Sequence, residues 1–235
     1  MKKNNKIWIY PFMILGVFLM LVNSCTKVED TNNPATGGTV TDIDGNVYKT
    51  VTIGTQVWMA ENLKTTKYRN GDPIPNITDT LAWGSQTEGA YCWYGNLSAN
   101  KKTYGALYNW YTVSDIRHLE PLGWHVPTQL EWETLFTHLG GVTVAGGKLK
   151  EAGITHWTTP NGGSTNSSGF TALPGGYQES IGWSTSGILD YGDWWSSTVG
   201  ATGGAWNFEL NNSDDTVRTL FFSKTGGSSV RCIKD

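Results

Sequence analysis

Charge is scarce in this chain of 235 residues: Asp, Glu, Lys and Arg together make up 16%, against the roughly 25% usual in soluble domains. The body of the chain has no basic run, and its balance is acidic, so no nucleic-acid partner is expected. Histidine is limited to four residues and cysteine to three, and no two histidines stand at the i, i+4 spacing of a zinc-binding helix. No metal and no cofactor are expected. Phosphate loops, dinucleotide fingerprints and a GxSxG elbow are missing, as is any repeat of fixed period. The apolar run from Ile7 to Val22 is shorter than the roughly 20 residues a spanning helix needs, and Pro11 interrupts it. What the chain has in excess is glycine, 29 residues or nearly twice the usual ~7%, and 12 tryptophans. Much Gly, much Trp and few charges point to a loop-rich body stabilised by buried aromatics.

The N-terminus differs in kind from the rest. Lys2, Lys3 and Lys6 precede the apolar run, the layout of a secretory signal over residues 1–24. An uncleaved membrane anchor is the alternative, and the length of the run argues against it. Leu21-Val22-Asn23-Ser24-Cys25 resembles a bacterial lipobox, in which the Cys25 thiol is acylated and becomes the new N-terminus. Two or three acyl chains would anchor stably where a single chain would not. The membrane is thus an expected partner, through an outer-membrane anchor facing the periplasm or the cell surface. Residues 25–39 carry no apolar periodicity and read as a flexible tether. Cleavage would remove three lysines and no acid, taking the formal net charge from −3 to −6. In an oxidising compartment the two remaining cysteines, Cys92 and Cys232, read as a disulfide. It would close a loop of about 140 residues and stabilise by up to ~5 kcal/mol. Two separate buried thiols are the alternative.

From residue 40 the chain reads as a single domain to residue 235. Val47, Thr50–Ile53 and Gln56–Met59 predict strands joined by Asp44-Gly45 and Gly54-Thr55. Asp42-Ile43-Asp44-Gly45-Asn46 looks like part of a calcium loop but lacks the distal Glu, and a tight turn explains it better. Tyr104, Leu107, Tyr108 and Tyr111 fall at helical spacing. A capping box, Thr128 with Glu131, opens a second helix whose apolar face is Trp132, Leu135, Phe136 and Leu139 and which ends at Gly140-Gly141. A short helix is expected around Gly146–Glu151. Further strands are expected at Trp194–Thr198, Trp206–Leu210, Val217–Phe222 and Ser229–Ile233. The nearly charge-free segment 153–169 reads as a surface loop.

The ordered motifs IGTQVWMAENL (53–63), YGALYNWY (104–111), GWHVPTQLEWETL (123–135), GGKLKEAG (146–153), GFTALPGGY (169–177), DWWSST (193–198) and SVRCIKD (229–235) resemble the Fibrobacter succinogenes major paralogous domain over residues 40–235. That family is similar in turn to the C-type-lectin-like superfold, including the sulfatase-modifying group. The resemblance implies an α+β, C-type-lectin-like architecture: small twisted antiparallel sheets, two main flanking helices and long irregular loops, with ligand loops in the 153–193 region. It implies no activity, because the calcium-binding EPN and WND strings of the lectins and the paired reactive cysteines of the modifying enzymes are not matched here.

No catalytic constellation is recognised. Asp214-Asp215 reads as a solvated turn and His125 as a satisfied structural residue. Among the aromatics, Trp157, Tyr177, Trp183 and Tyr191 fall in Gly/Ser/Asn-rich loops. There they either present faces to a ligand or pack down as loop anchors. The expected function is a non-enzymatic binding or adhesion module for an extracellular glycan or protein. A structural envelope component and a polysaccharide hydrolase are the alternatives. Cells fed labelled palmitate are expected to label the wild-type protein, and a Cys25→Ala variant should stay unlabelled at precursor size.

Overall fold

The computed structural model describes residues 36–180, 185–200 and 203–235, so Cys25, the signal segment and Trp183 lie outside the described residues. Two sheets, curled and almost entirely antiparallel, carry the chain. The first has the order β1 (Thr36–Thr41), β2 (Val47–Ile53), β3 (Gln56–Met59), β13 (Ile233–Lys234), β6 (Trp124–His125). The second runs β11 (Arg218–Ser223), β10 (Gly204–Asn211), β9 (Tyr191–Val199), β7 (Gly175–Gln178), β12 (Gly227–Ser228), β5 (Leu107–Asn109), β4 (Tyr91–Cys92), with β8 (Thr185–Ile188) beside β7. The α-helices are α1 (Thr80–Gly84), α2 (Lys101–Tyr104), α3 (Trp110–Val113), α4 (Gln129–His138) and α5 (Val142–Leu149). Among the described residues no helix is long and apolar enough to cross a membrane.

Local signals read from the sequence hold where they are self-contained. The β2–β3 hairpin pairs Ile53 with Gln56 around Gly54-Thr55. At α4 the Thr128 hydroxyl accepts from the Glu131 amide while Glu131 accepts from the Thr128 amide at 2.8 Å, so both orphan N–H groups of the first turn are satisfied. Asp42 is consumed by its own turn, accepting from the amides of Asp44 and Asn46 at 3.0 and 2.9 Å and from the Tyr48 hydroxyl. Strand β1 takes in Thr36–Thr39, which the tether had been expected to include.

Three expectations are corrected. The helix expected over Tyr104–Tyr111 is broken. Gly105 turns out of α2 at φ 77°, where a Cβ would strike Leu63 O at 2.7 Å. Residues Leu107–Asn109 then form β5, hydrogen-bonded between β12 and β4. Leu107 packs with Trp83 and Cys92, while Tyr108 points into a different cluster with Trp195 and Val230. A period of two serves both sides of the sheet, and a helix would bury one face only. The strand expected at Ser229–Ile233 does not form as one: β12 ends at Ser228, only Ile233 joins β13, and Val230–Cys232 cross irregularly from one sheet to the other. The disulfide is not formed: Cys92 and Cys232 are separate buried free thiols. They belong to different apolar clusters, and burial pushes the Cys92 thiol up to about 12.

The core is aromatic. On β9, Trp194 faces a cluster with Trp58, Trp132, Phe136, Phe170 and Phe208, beneath α4. Its neighbour Trp195 faces the opposite cluster with Tyr48, Met59 and Tyr108. Ring centroids of 4.7 Å for Trp58–Trp132 and 5.3 Å for Trp132–Phe208 are in the range where tilted aromatic pairs add roughly 0.5–1.5 kcal/mol beyond area burial.

The irregular segment after α5 is held by a buried ammonium. Lys150 is fully buried and donates to the carbonyls of Gly162, Asn211 and Asp214 at 2.8, 2.9 and 2.7 Å. Burial lowers its pKa to about 8, against the opposing pull of Asp214 and Asp215. The glycines of α5 let these loops approach: a Cβ at Gly147 would lie 2.3 Å from Gly163 O. Lys150→Met keeps the apolar stem and orphans three carbonyls. It is expected to cost about 3–5 kcal/mol, read as a lower urea midpoint at unchanged m-value.

Candidate functional site

Strand alternation places residues of one sheet face in register across three strands. Asp193 on β9 lies opposite Glu209 on β10, and Glu209 lies opposite Arg218 on β11. Directly paired side chains of antiparallel strands have Cβ atoms roughly 4.5–5.5 Å apart, so these three form one row. The row grades from burial to solvent. Asp193 is 5% exposed, Glu209 is half-buried, and the Arg218 side chain is 35% exposed. Arg218 is held by Asp214, Nη2 to Oδ2 at 2.7 Å, and lies 4.0 Å from Glu209 through Nε.

The electrostatics at the buried end are unusual. Asp193 Oδ2 has no hydrogen-bond partner. Burial, and after it the nearby Glu209 charge, pushes the Asp193 carboxyl well above the usual carboxylate range. Glu209 is also raised, chiefly by burial, with Arg218 pulling the other way. An unpartnered buried acid costs stability, and such costs concentrate where a fold does chemistry or binds.

Two of the tyrosines expected in loops lie instead in strands, Tyr177 in β7 and Tyr191 at the start of β9, and meet at this row. Tyr191 precedes Asp193 by two residues on the same face and is 37% exposed. Tyr177, on β7, is half-buried and packs edge-on against Phe222 at 5.9 Å. A Cβ at Gly187 on β8 would meet Tyr191 Cδ2 at 3.0 Å and Tyr177 Cε1 at 3.2 Å, so both rings flank the same glycine. Burial chiefly raises the Tyr177 hydroxyl, with the charges of Glu179, Asp193 and Glu209 adding to it, and the bond to Asp214 chiefly raises Arg218. Two rings, the half-buried Glu209 carboxyl and the Arg218 guanidinium supply apolar faces together with an acceptor and donors for a ligand rich in hydroxyls, above the buried Asp193.

The remaining expected residues fall elsewhere. Of the two readings left open for Trp157, ligand face or loop anchor, the structure has the second: it is 2% exposed in the core, and its indole N–H donates to Ala172 O at 3.0 Å. With that, segment 153–169 loses its aromatic ligand face. Trp183 lies outside the described residues. His125 bridges Glu131 and Asp235 at 2.8 and 2.7 Å. Burial lowers its pKa, and the two carboxylates overcome that and raise it. Asp214 is the Arg218 anchor and is not paired with Asp215. Among the described residues no group of three or more His, Cys, Asp and Glu is placed to hold a metal ion.

Asp193 and Glu209 were not singled out from the sequence. The strand was legible only from Trp194 to Thr198, and it begins three residues earlier, at Tyr191. The register that sets Asp193 against Glu209 joins strands across a loop and has no local signature.

The folded state holds the Asp193 proton to higher pH than the unfolded chain does. Wild-type stability should therefore fall as pH rises from ~4, the unfolded carboxyl value, towards the raised folded value. Asp193→Asn should match the wild type at low pH and exceed it by about 1–2 kcal/mol at neutral pH. Urea unfolding at several pH values checks this.

Compared with known proteins, the chain matches the family model described as the Fibrobacter succinogenes major domain over residues 51–234. No curated protein and no solved structure matches it.

Proposed function

The chain belongs to the Fibrobacter succinogenes major domain family, and we propose that it is a surface lipoprotein whose domain binds an extracellular glycan without chemical turnover. The observation that carries the reading is the Asp193–Glu209–Arg218 row with Tyr177 and Tyr191 converging beside it. Sugar rings present an apolar face ringed by hydroxyls. A tyrosine ring takes that face, and carboxyls with a guanidinium take the hydroxyls. The lipobox at Leu21–Cys25 and the polar segment behind it support anchorage to the outer membrane, with the domain held clear of the bilayer. Mixed helices and curled antiparallel sheets support a C-type-lectin-like arrangement, with β7, β8 and β9 as the ligand-bearing side.

A glycan array probed with the purified protein, followed by calorimetry on any hit, tests this. Tyr191→Ala is expected to weaken binding about tenfold or more, as truncation of an interface aromatic does, while Trp157→Phe, a core change, should leave the affinity of the folded protein unaltered. Equal binding by Tyr191→Ala and Tyr177→Ala variants would remove the site from this face.

The raised Asp193 carboxyl beside Glu209 also favours a second reading, a polysaccharide hydrolase with Asp193 as proton donor. Release of reducing ends from a bound polymer, lost in both Asp193→Asn and Glu209→Gln, would replace binding by turnover.

A further inference from the structure

A cleft of about 80 Å³ opens between the β3–α2 segment and the turn after Gly169. Its walls include Asn62, Lys64, Lys102, Thr171 and Arg231. Arg231 is 1% exposed and every partner it has is neutral. Nε and Nη2 donate to Asn62 Oδ1 at 3.2 and 2.8 Å, Nη2 also reaches Thr171 O at 3.3 Å, and Nη1 donates to Phe170 O. No carboxylate forms an ion pair with it among the described residues. Its Cζ lies 4.1 Å from the centroid of the Phe170 ring, and burial lowers its pKa to about 9.

A buried guanidinium hydrogen-bonded only to neutral oxygens has its charge offset only at a distance, by Glu61, which is costly inside a protein. The cleft adds to that charge. Lys64 is paired with Glu61 at 3.3 Å, while the exposed Lys102 has no ion pair among the described residues. The lining therefore holds three cations against one carboxylate in a chain whose net charge is negative. At the lip, Thr171 adopts φ 56°, a conformation that a β-branched residue takes only at a cost.

We propose that this cleft is an oxyanion subsite, taking a carboxylate, sulfate or phosphate group between Arg231 and Lys102. Its volume suits one such group and not a whole sugar ring. The occupant is therefore either a free inorganic anion or the acidic substituent of a saccharide that extends along the neighbouring groove by Lys49, Ala60 and Thr171.

Amide NMR titration of the purified protein with sodium sulfate, sodium phosphate and glucuronate, at ionic strength held constant with chloride, tests the site. Saturable shifts at Asn62, Thr103 and Thr171 are expected. Lys102→Glu, a change at an exposed position, should weaken binding at least tenfold while the rest of the spectrum is retained. Saturation by glucuronate but not by glucose identifies an acidic saccharide, and saturation by sulfate or phosphate without glucuronate identifies a free anion. Shifts that follow chloride equally, or wild-type affinity in Lys102→Glu, would overturn the subsite.

Discussion

The side-chain carbonyl of Asn62 accepts from the Trp194 indole at 2.9 Å and from two nitrogens of Arg231, while its amide donates to Tyr104 O and Ser229 Oγ. Those partners lie on β9, at the end of α2 and on the crossing between β12 and β13. Asn62 itself follows β3, so this one buried amide ties the five-stranded sheet to the eight-stranded one. A hydrophobic residue of the same size would leave the Trp194 indole N–H and the Tyr104 carbonyl without these partners and strip Arg231 of its bonds from Nε and of the shorter one from Nη2, and each such orphan costs about 1–3 kcal/mol. The tryptophans supply the bulk of the core. The asparagine sets the one arrangement in which their polar edges are also satisfied.

Two strategies for buried charge coexist here. Lys150 and Arg231 are surrounded by carbonyl and amide oxygens, and in return they fix backbone that has no regular hydrogen-bonding of its own. Asp193 has no such partner. Its Oδ2 is left open although Asn207 and Ser228 bond to each other nearby at 2.9 Å. Cations that organise loops and an acid that destabilises its surroundings serve different ends, which is why the acid, and not the lysine, marks the proposed ligand face.

Legibility from sequence followed the range of the interactions. The capping box at Thr128 and the turns at Asp44-Gly45 and Gly54-Thr55 involve neighbours in sequence and were readable from a few letters. The Tyr104–Tyr111 segment misled because helical spacing and strand alternation share several positions, and only the partners β4 and β12 decide between them. The thiols misled because parity and compartment speak to chemistry and not to distance. Tyr177 and Tyr191 were found by composition, yet Trp157 has the same local composition and is buried because Ala172 O and the Lys150 ammonium draw it inward. The row that carries the proposed site depends on pairing between residues 193, 209 and 218, which no local pattern encodes.

Strand β13 sits between β3 and β6, and β12 sits between β7 and β5. Both follow every other strand in chain order, yet each fills an interior place in its sheet. Until residues 227–234 are available, both sheets have a gap at their middle and expose unpaired backbone on either side of it. Neither half can close alone, so folding waits for the whole domain and then proceeds through contacts of long sequence separation, which is slow. A single proteolytic cut after residue 226 would accordingly take the interior strand from both sheets at once.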